Sequence, residues 1–412
     1  MKRGFYTILS AQFFSALADN VLLFAAIALL QQANAPSWHT PLLQESFIVS
    51  YIILAPFVGA FSDSLPKGRV MFISNSIKLA GCMAMLYGLN PLIAYGLVGF
   101  GAAAYSPAKY GILTEFLPPE KLVFANSWME GLTVAAIVLG AVVGGLLISP
   151  NIANEMLKWW DVPFIDTGID TAPELAISIV AGLYILASLF NLYIPRLPID
   201  HTPLSNNPVF LIKEFTHCFK LLWKDPLGQV SLAVTTLFWG TGASLRLIVL
   251  AWAGVALHYS IGEAAKLTAW VAIGIAIGSV LAARYVKIGH AVKVLPVGIS
   301  MGAVVLLMPL VHSPLIAVVL LIAVGTMGGF FVVPMNALLQ HRGHLLMGSG
   351  SSIAVQNFNE NMCIFVMLAL YALMVKLDFG IYTIIIVFGI LLSGIMTALY
   401  KKHGHDQDNA SY

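Results

Sequence analysis

Gly59-Ala-Phe-Ser-Asp63-Ser-Leu-Pro-Lys67-Gly68-Arg69 is a short charged interruption between two long apolar runs, 44–62 and 70–89. About 20 apolar residues in a helix cross a hydrocarbon core of roughly 30 Å. Gly59 permits close helix approach, and Asp63 stands at a helix end beside Lys67 and Arg69. A chain that turns back at a membrane face has this form.

Outward from this turn the pattern recurs along all 412 residues. Twelve runs are long enough to span, approximately 5–31, 44–62, 70–89, 91–114, 123–148, 174–194, 228–257, 263–284, 291–311, 314–340, 348–375 and 379–400. Turn signals separate them, among them Ala35-Pro36, Asn90-Pro91, Pro118-Pro119 and Ser313-Pro314. The alternating segments of a membrane β-barrel do not occur. The first run lacks a clear cleavage site and is too long for a signal peptide, so it reads as a retained helix. Charged residues make up 10% of the chain, against about 25% in a soluble domain. A soluble enzyme, a coiled coil and a disordered chain are excluded. A formal net charge of +2 offers no basic stripe for nucleic acid. Cys82, Cys218 and Cys363 lie in apolar settings that suit neither a disulfide framework nor a metal site. No cofactor and no metal are expected.

Lysine and arginine placement sets the orientation. A cytoplasmic N-terminus puts fifteen of the 21 on that side, with Lys158, Lys266 and Lys376 outside and Lys78, Lys109 and Arg246 within spans. Both termini are therefore expected in the cytoplasm. The connection 195–227 carries Pro195, Pro198, Pro203 and Pro208, then Phe210 to Trp223 with Lys213, Glu214 and Lys220 among apolar residues. It reads as a linker with an amphipathic helix on the cytoplasmic face, between two bundles of six. The expected organisation is 1–194, a first six-helix bundle; 195–227, the linker; 228–401, a second six-helix bundle; and 402–412, a polar tail. The outer loop 149–173 is acidic, and its Trp159-Trp160 reads as an interfacial anchor.

The two halves resemble each other. Pro107-Ala108-Lys109 in span 4 matches Pro334-Met335-Asn336 in span 10. Asn126 and Glu130 in span 5 match Gln356 and Glu360 in span 11. Phe13 and Asn20 in span 1 match Trp239 and Arg246 in span 7. Three matches in register favour a 6+6 duplication.

Six charges fall inside spans: Asp19, Lys78, Lys109, Glu130, Arg246 and Glu360. At roughly 2.5–3.5 kcal/mol each on insertion scales, they need partners or a water-filled cavity. Three of each sign allow mutual neutralisation, and for Lys78 and Glu130 that structural pairing stands level with a functional role. Asp19 and Arg246 lie at or beside equivalent positions of spans 1 and 7, which face each other across the cavity of a 6+6 transporter. Gln356, Asn357, Glu360 and Asn361 share one helix face, while Asn359 points elsewhere. Asp19, Asn20, Lys109, Arg246, Gln356 and Glu360 are the candidate substrate-binding residues. The glycines and alanines of 99–104 are read as close helix packing, and Gly140 with Gly144-Gly145 carries no weight.

The Gly59–Arg69 turn resembles the signature of the major facilitator superfamily, which implies twelve transmembrane helices in two six-helix bundles. It also implies a gate formed by Gly59, Asp63, Lys67 and Arg69, closing the halves on the cytoplasmic side. The cognate stretch of the second half, Gly278 to Lys287, has Ala282 where the acid would stand. Longer blocks, Ala11 to Asn20, Ala102 to Leu113, Met327 to Gln340 and Ala354 to Asn357, are similar to bacterial lysophospholipid transporters of that superfamily. The resemblance implies flipping of lysophosphatidylethanolamine and lysophosphatidylglycerol from the outer to the inner leaflet of the inner membrane. A separate acyltransferase–acyl-carrier-protein synthetase would re-acylate them. A base and an acid in one cavity suit such a head group. Arg246 with Lys109 would hold the phosphate, and Asp19 and Glu360 the amine or a coupling cation, Na⁺ or H⁺. The acyl tail would trail into membrane lipid.

Two other classes remain open. A proton-coupled exporter of drugs or metabolites on the same fold would use Asp19 or Glu360 as its protonation site. A membrane acyltransferase would need a His-x4-Asp motif, which occurs once, at His403 and Asp408 in the polar tail, where chance explains it better. No nucleophile elbow, P-loop or Rossmann glycine pattern occurs, so an enzyme is not expected.

Overall fold

A computed structural model describes residues 3–35, 39–160, 169–197, 204–259 and 261–403. Lys2, Pro36, Pro198, Pro203, the stretch 161–168 of the outer loop and the tail from 404 lie outside the described residues. Among the described residues all regular structure is helical. In chain order the helices are α1 (Arg3–Gln32), α2 (His39–Ser64), α3 (Lys67–Leu86), α4 (Pro91–Phe116), α5 (Leu122–Ile148), α6 (Pro150–Trp160) and α7 (Ala172–Leu192). They continue as α8 (Pro208–Lys224), α9 (Pro226–Ala256), α10 (Ile261–Tyr285), α11 (Leu295–Val305), α12 (Pro314–Met347), α13 (Ser349–Lys376) and α14 (Ile381–His403).

Apart from α6 and α8 these are spanning helices, and α11 reaches spanning length through the 3₁₀ turns Ile288–Val294 and Met308–Leu310 at its two ends. The molecule is an all-α integral membrane protein with twelve transmembrane helices in two six-helix bundles. Composition alone qualifies ten of the twelve, leaving out α3 and α4. The reason is visible in α3: its polar residues Ser74, Asn75 and Lys78 are buried against protein.

Local chemistry explains the ends. Proline stands at the first position of α4, α6, α8, α9 and α12, where no backbone N–H is needed. Thr171 and Glu174 form a reciprocal capping box on α7. The Asp225 carboxylate accepts from the Gly228 N–H at 2.8 Å and caps α9. Gly348, at φ 94°, breaks the chain between α12 and α13 in a region open to glycine. The sequence reading ends span 10 at Gln340, where polar residues begin. The helix runs on to Met347 because Gly343 lets it pass against Ser352 of α13.

Two compact units emerge, one of residues 1–112 and 135–213, the other of 113–134 and 214–412. In lipid there is little hydrophobic drive between helices, so close packing and small residues hold them. In the first unit α1 packs on α7 through Ala18, Val21, Leu22 and Ala25 against Ile177, Val180 and Tyr184. A Cβ at Gly140 of α5 would strike Asn20 of α1, and one at Gly144 would meet Phe24 at 3.0 Å. Those glycines are packing residues.

In the second unit Gly274 and Gly278 of α10 lie on the backbone of α12, and Gly325 and Gly329 of α12 lie on that of α10. Helix α8 presents Phe215, Cys218, Phe219, Leu222 and Trp223 to Leu232, Leu339 and Val355. Its rings also meet Phe358, with centroids 5.6 and 6.1 Å away. The apolar stripe of α8 is thus covered by protein.

Candidate functional site

Each unit carries its own buried polar cluster. In the first, Lys78 of α3 reaches Asp19 of α1 and donates to both carboxylate oxygens, at 2.9 and 2.8 Å. The Tyr184 hydroxyl of α7 donates to the same carboxylate at 2.6 Å. Lys78 also donates to the Ser15 Oγ at 3.1 Å, and Ser15 to Asn75 at 2.8 Å. The ammonium lies 4.8 Å from the centre of the Tyr105 ring and 5.5 Å from that of Tyr184, close enough for cation–π attraction. Its stem is admitted by Gly101, where a Cβ would come 2.7 Å from Lys78 Cγ. The lysine side chain is 1% exposed and that of Asp19 24%, so of the pair only the acid has an exposed edge.

The second cluster is a ladder across three helices, with polar residues four apart on each. Gln356 of α13 donates to Glu360 at 2.7 Å and to the Asn336 Oδ1 of α12 at 2.9 Å. Asn336 donates to Glu130 of α5 at 3.3 Å. One turn away, Asn126 and Gln340 exchange two amide hydrogen bonds, both 2.8 Å. All six side chains are buried. Amides and acids linked in this way strengthen one another in a low dielectric, and the Gln356 Oε1 is left without a donor among the described residues.

The candidates divide as follows. Asp19 belongs to the first cluster, Gln356 and Glu360 to the second. Asn20 spends one of its two N–H groups on its own helix, donating to the Ala16 carbonyl at 2.8 Å. Lys109 is half-buried, its Nζ 4.4 Å from the Tyr110 ring centre. Arg246 is exposed on α9 and, among the described residues, has no hydrogen-bond or ion-pair partner. Asn359 faces away from the ladder as expected, accepting from the Trp223 indole at 3.3 Å. At the turn expected to form a gate, Asp63 pairs with Lys67 at 2.8 Å. Lys67 also donates to the Ser62 carbonyl at 2.8 Å, close to the end of α2. That ion pair therefore shapes the α2–α3 turn within one unit. Gly59 is buried beside it and Arg69 is exposed.

Sequence reasoning missed Ser15, Tyr184, Asn336 and Gln340 as site residues. Ser15 stands four before Asp19 and Gln340 four after Asn336, the spacing that puts side chains on one helix face, so a signal existed. Tyr184 had none. Two further polar contacts were also unread. Ser349, first residue of α13, donates to Glu115 at 2.8 Å. Arg342 of α12 holds Asp225 through both carboxylate oxygens.

Comparison with known proteins agrees with this architecture. The family model described as Major Facilitator Superfamily matches residues 8–359. The chain is 44% identical over 378 residues to "Lysophospholipid transporter LplT" of Yersinia enterocolitica serotype O:8, covering 92% of this chain and 88% of that one. A Yersinia pestis protein of the same name is 45% identical over the same shares. Among solved structures, a bacterial homologue of the iron transporter ferroportin in an outward-facing state superposes with a TM-score of 0.74 at 14% identity. It covers 98% of this chain and 100% of that one. The transporter FucP in the outward conformation gives 0.72 at 14% identity, over 97% and 98%.

Proposed function

The chain belongs to the major facilitator superfamily and, within it, to the lysophospholipid transporters, and from that premise we propose that it carries lysophospholipids across a bacterial inner membrane. The cargo is lysophosphatidylethanolamine or lysophosphatidylglycerol, taken from the outer leaflet to the inner. A separate acyltransferase–acyl-carrier-protein synthetase re-acylates it there. The observation that carries this reading is likeness to lysophospholipid transporters at 44–45% identity over 92% of the chain.

The polar residues fit such a cargo. An arginine with no partner among the described residues, ten residues from the end of α9, is costly in a membrane unless it meets water or an anion. Arg246 takes the phosphate, since its guanidinium fork matches phosphate oxygens, and Lys109 assists. The ammonium goes to Glu360, beside Gln356, or to the exposed edge of Asp19, where it competes with Lys78. Asn20 contributes its carbonyl oxygen and its second N–H. Na⁺ or H⁺ couples through the same acids. The acyl chain trails into lipid through a lateral opening, because a polar cavity would not solvate it.

Alternating access completes the cycle, with both termini cytoplasmic. Gly59, Asp63, Lys67 and Arg69 form the gate: the Asp63–Lys67 pair stiffens the turn, and exposed Arg69 is the group that makes and breaks contact. Uptake of labelled lysophosphatidylethanolamine by spheroplasts tests the head-group assignment. Arg246→Ala and Asp19→Ala are expected to lower uptake several-fold at equal protein level, with Arg246→Lys keeping part of it. Normal uptake in both alanine variants would overturn the assignment.

A further inference from the structure

Helix α8 has a second face with no assigned role. Lys213, Lys220 and Lys224 are all exposed and stand at i, i+7 and i+11, within about 40° of one another around the helix. They lie opposite Phe215, Cys218 and Leu222, which pack with Leu232, Leu339 and Val355. Val209 and Phe210 flank the lysines and are 59% and 51% exposed.

The depth of α8 follows from what it touches. Helix α12 is 34 residues long, roughly 51 Å, so about 10 Å of it projects at each end beyond a ~30 Å hydrocarbon core. The docked face of α8 meets Leu339, eight residues before the end of α12, and Phe358, nine residues into α13. Each is roughly 12–13 Å from its helix end, the level where head groups meet acyl chains. Helix α8 therefore lies beside the spanning helices rather than beneath them. On its outer face exposed Val209 and Phe210 precede the three lysines, Thr216 and His217 lie between Lys213 and Lys220, and the whole face is turned away from the packed side.

We propose that the Lys213–Lys220–Lys224 face of α8 is a binding site for anionic phospholipid head groups of the leaflet on the basic side of the protein. Lysine ammonium groups attract such lipids by about 1 kcal/mol each near a surface, and Val209 and Phe210 sink into the acyl boundary. The site is separate from the cargo residues and does not depend on what is transported. It ties the segment joining the two bundles to the lipid composition of one leaflet.

The test uses the full chain in detergent, melted with added phosphatidylglycerol or phosphatidylcholine. Phosphatidylglycerol should raise the melting temperature more than phosphatidylcholine. The triple variant Lys213→Gln, Lys220→Gln, Lys224→Gln should lose at least half of that difference. Lys158→Gln with Lys376→Gln should leave it intact. In unmodified protein, raising NaCl from 0.1 to 1 M shortens the Debye length from about 10 to 3 Å and should shrink the difference equally, which guards against a variant that folds poorly. A full difference in the triple variant, or none in the unmodified protein, overturns the proposal and leaves the stripe to water or an acidic protein.

Discussion

Lys78 holds Asp19 through both carboxylate oxygens, at 2.9 and 2.8 Å, from a position far more buried than that of the acid it serves. The asymmetry decides which partner is harder to lose. Removing Asp19 strands an ammonium in a closed pocket, whereas removing Lys78 strands a carboxylate that is partly exposed and that Tyr184 still bonds. Asp19→Asn is therefore expected to cost about 3–5 kcal/mol, the range for orphaning a buried charge, and Lys78→Met less. The double variant should lose less than the sum. Unfolding in detergent measures all three, and equal single losses that simply add would contradict the pairing.

The Asn126–Gln340 amide pair calls for a second cycle. Either residue changed to leucine removes both exchanged hydrogen bonds and leaves its partner's amide buried, at about 1–3 kcal/mol for each unsatisfied group. The double leucine variant should recover part of that loss. Strictly additive losses would mean that the reciprocal bonds contribute little.

Glycine positions offer a sharper contrast. Gly101→Ala places a methyl 2.7 Å from both Lys78 Cγ and the Ser74 carbonyl oxygen, while Gly182 has nothing within 4 Å of its ideal Cβ. Alanine at 182 should leave the melting temperature unchanged or raise it, since glycine costs a helix interior roughly 0.5–1 kcal/mol. Alanine at 101 should lower it and loosen the Asp19 cluster. The reverse order would show that α3 and α4 are free to separate.

The spans were legible because low charge and turn residues are properties of the chain alone. Eleven of the twelve expected runs end within a few residues of the helices. Span 10 stops early because Arg342 and its neighbours look like a loop, although α12 is held there by Asp225. Charge pairing was less legible. Counting three intramembrane acids and three bases suggests neutralisation, but choosing Lys78 for Asp19 requires the rotation of α3 about its axis, and no periodicity within one helix supplies it. The ladder from Glu130 to Glu360 is half visible in the sequence: the four-residue spacings on α5 and α13 stand out as matching positions of the two halves, whereas that of Asn336 and Gln340 on α12 has no counterpart to mark it. Helix α6 lies inside what reads as a loop, because its alternation of polar and apolar residues is too short to register as a span.

Reconstituted flipping is the most direct test of lysophospholipid transport. Purified protein in liposomes would be given fluorescent lysophosphatidylethanolamine in the outer leaflet, and its protection from a quencher followed over time. Protection should develop several-fold faster than in protein-free liposomes and fall back toward the protein-free rate with Arg246→Ala. Equal rates with and without protein would contradict lysophospholipid transport, and an undiminished rate in the variant would contradict the role given to Arg246.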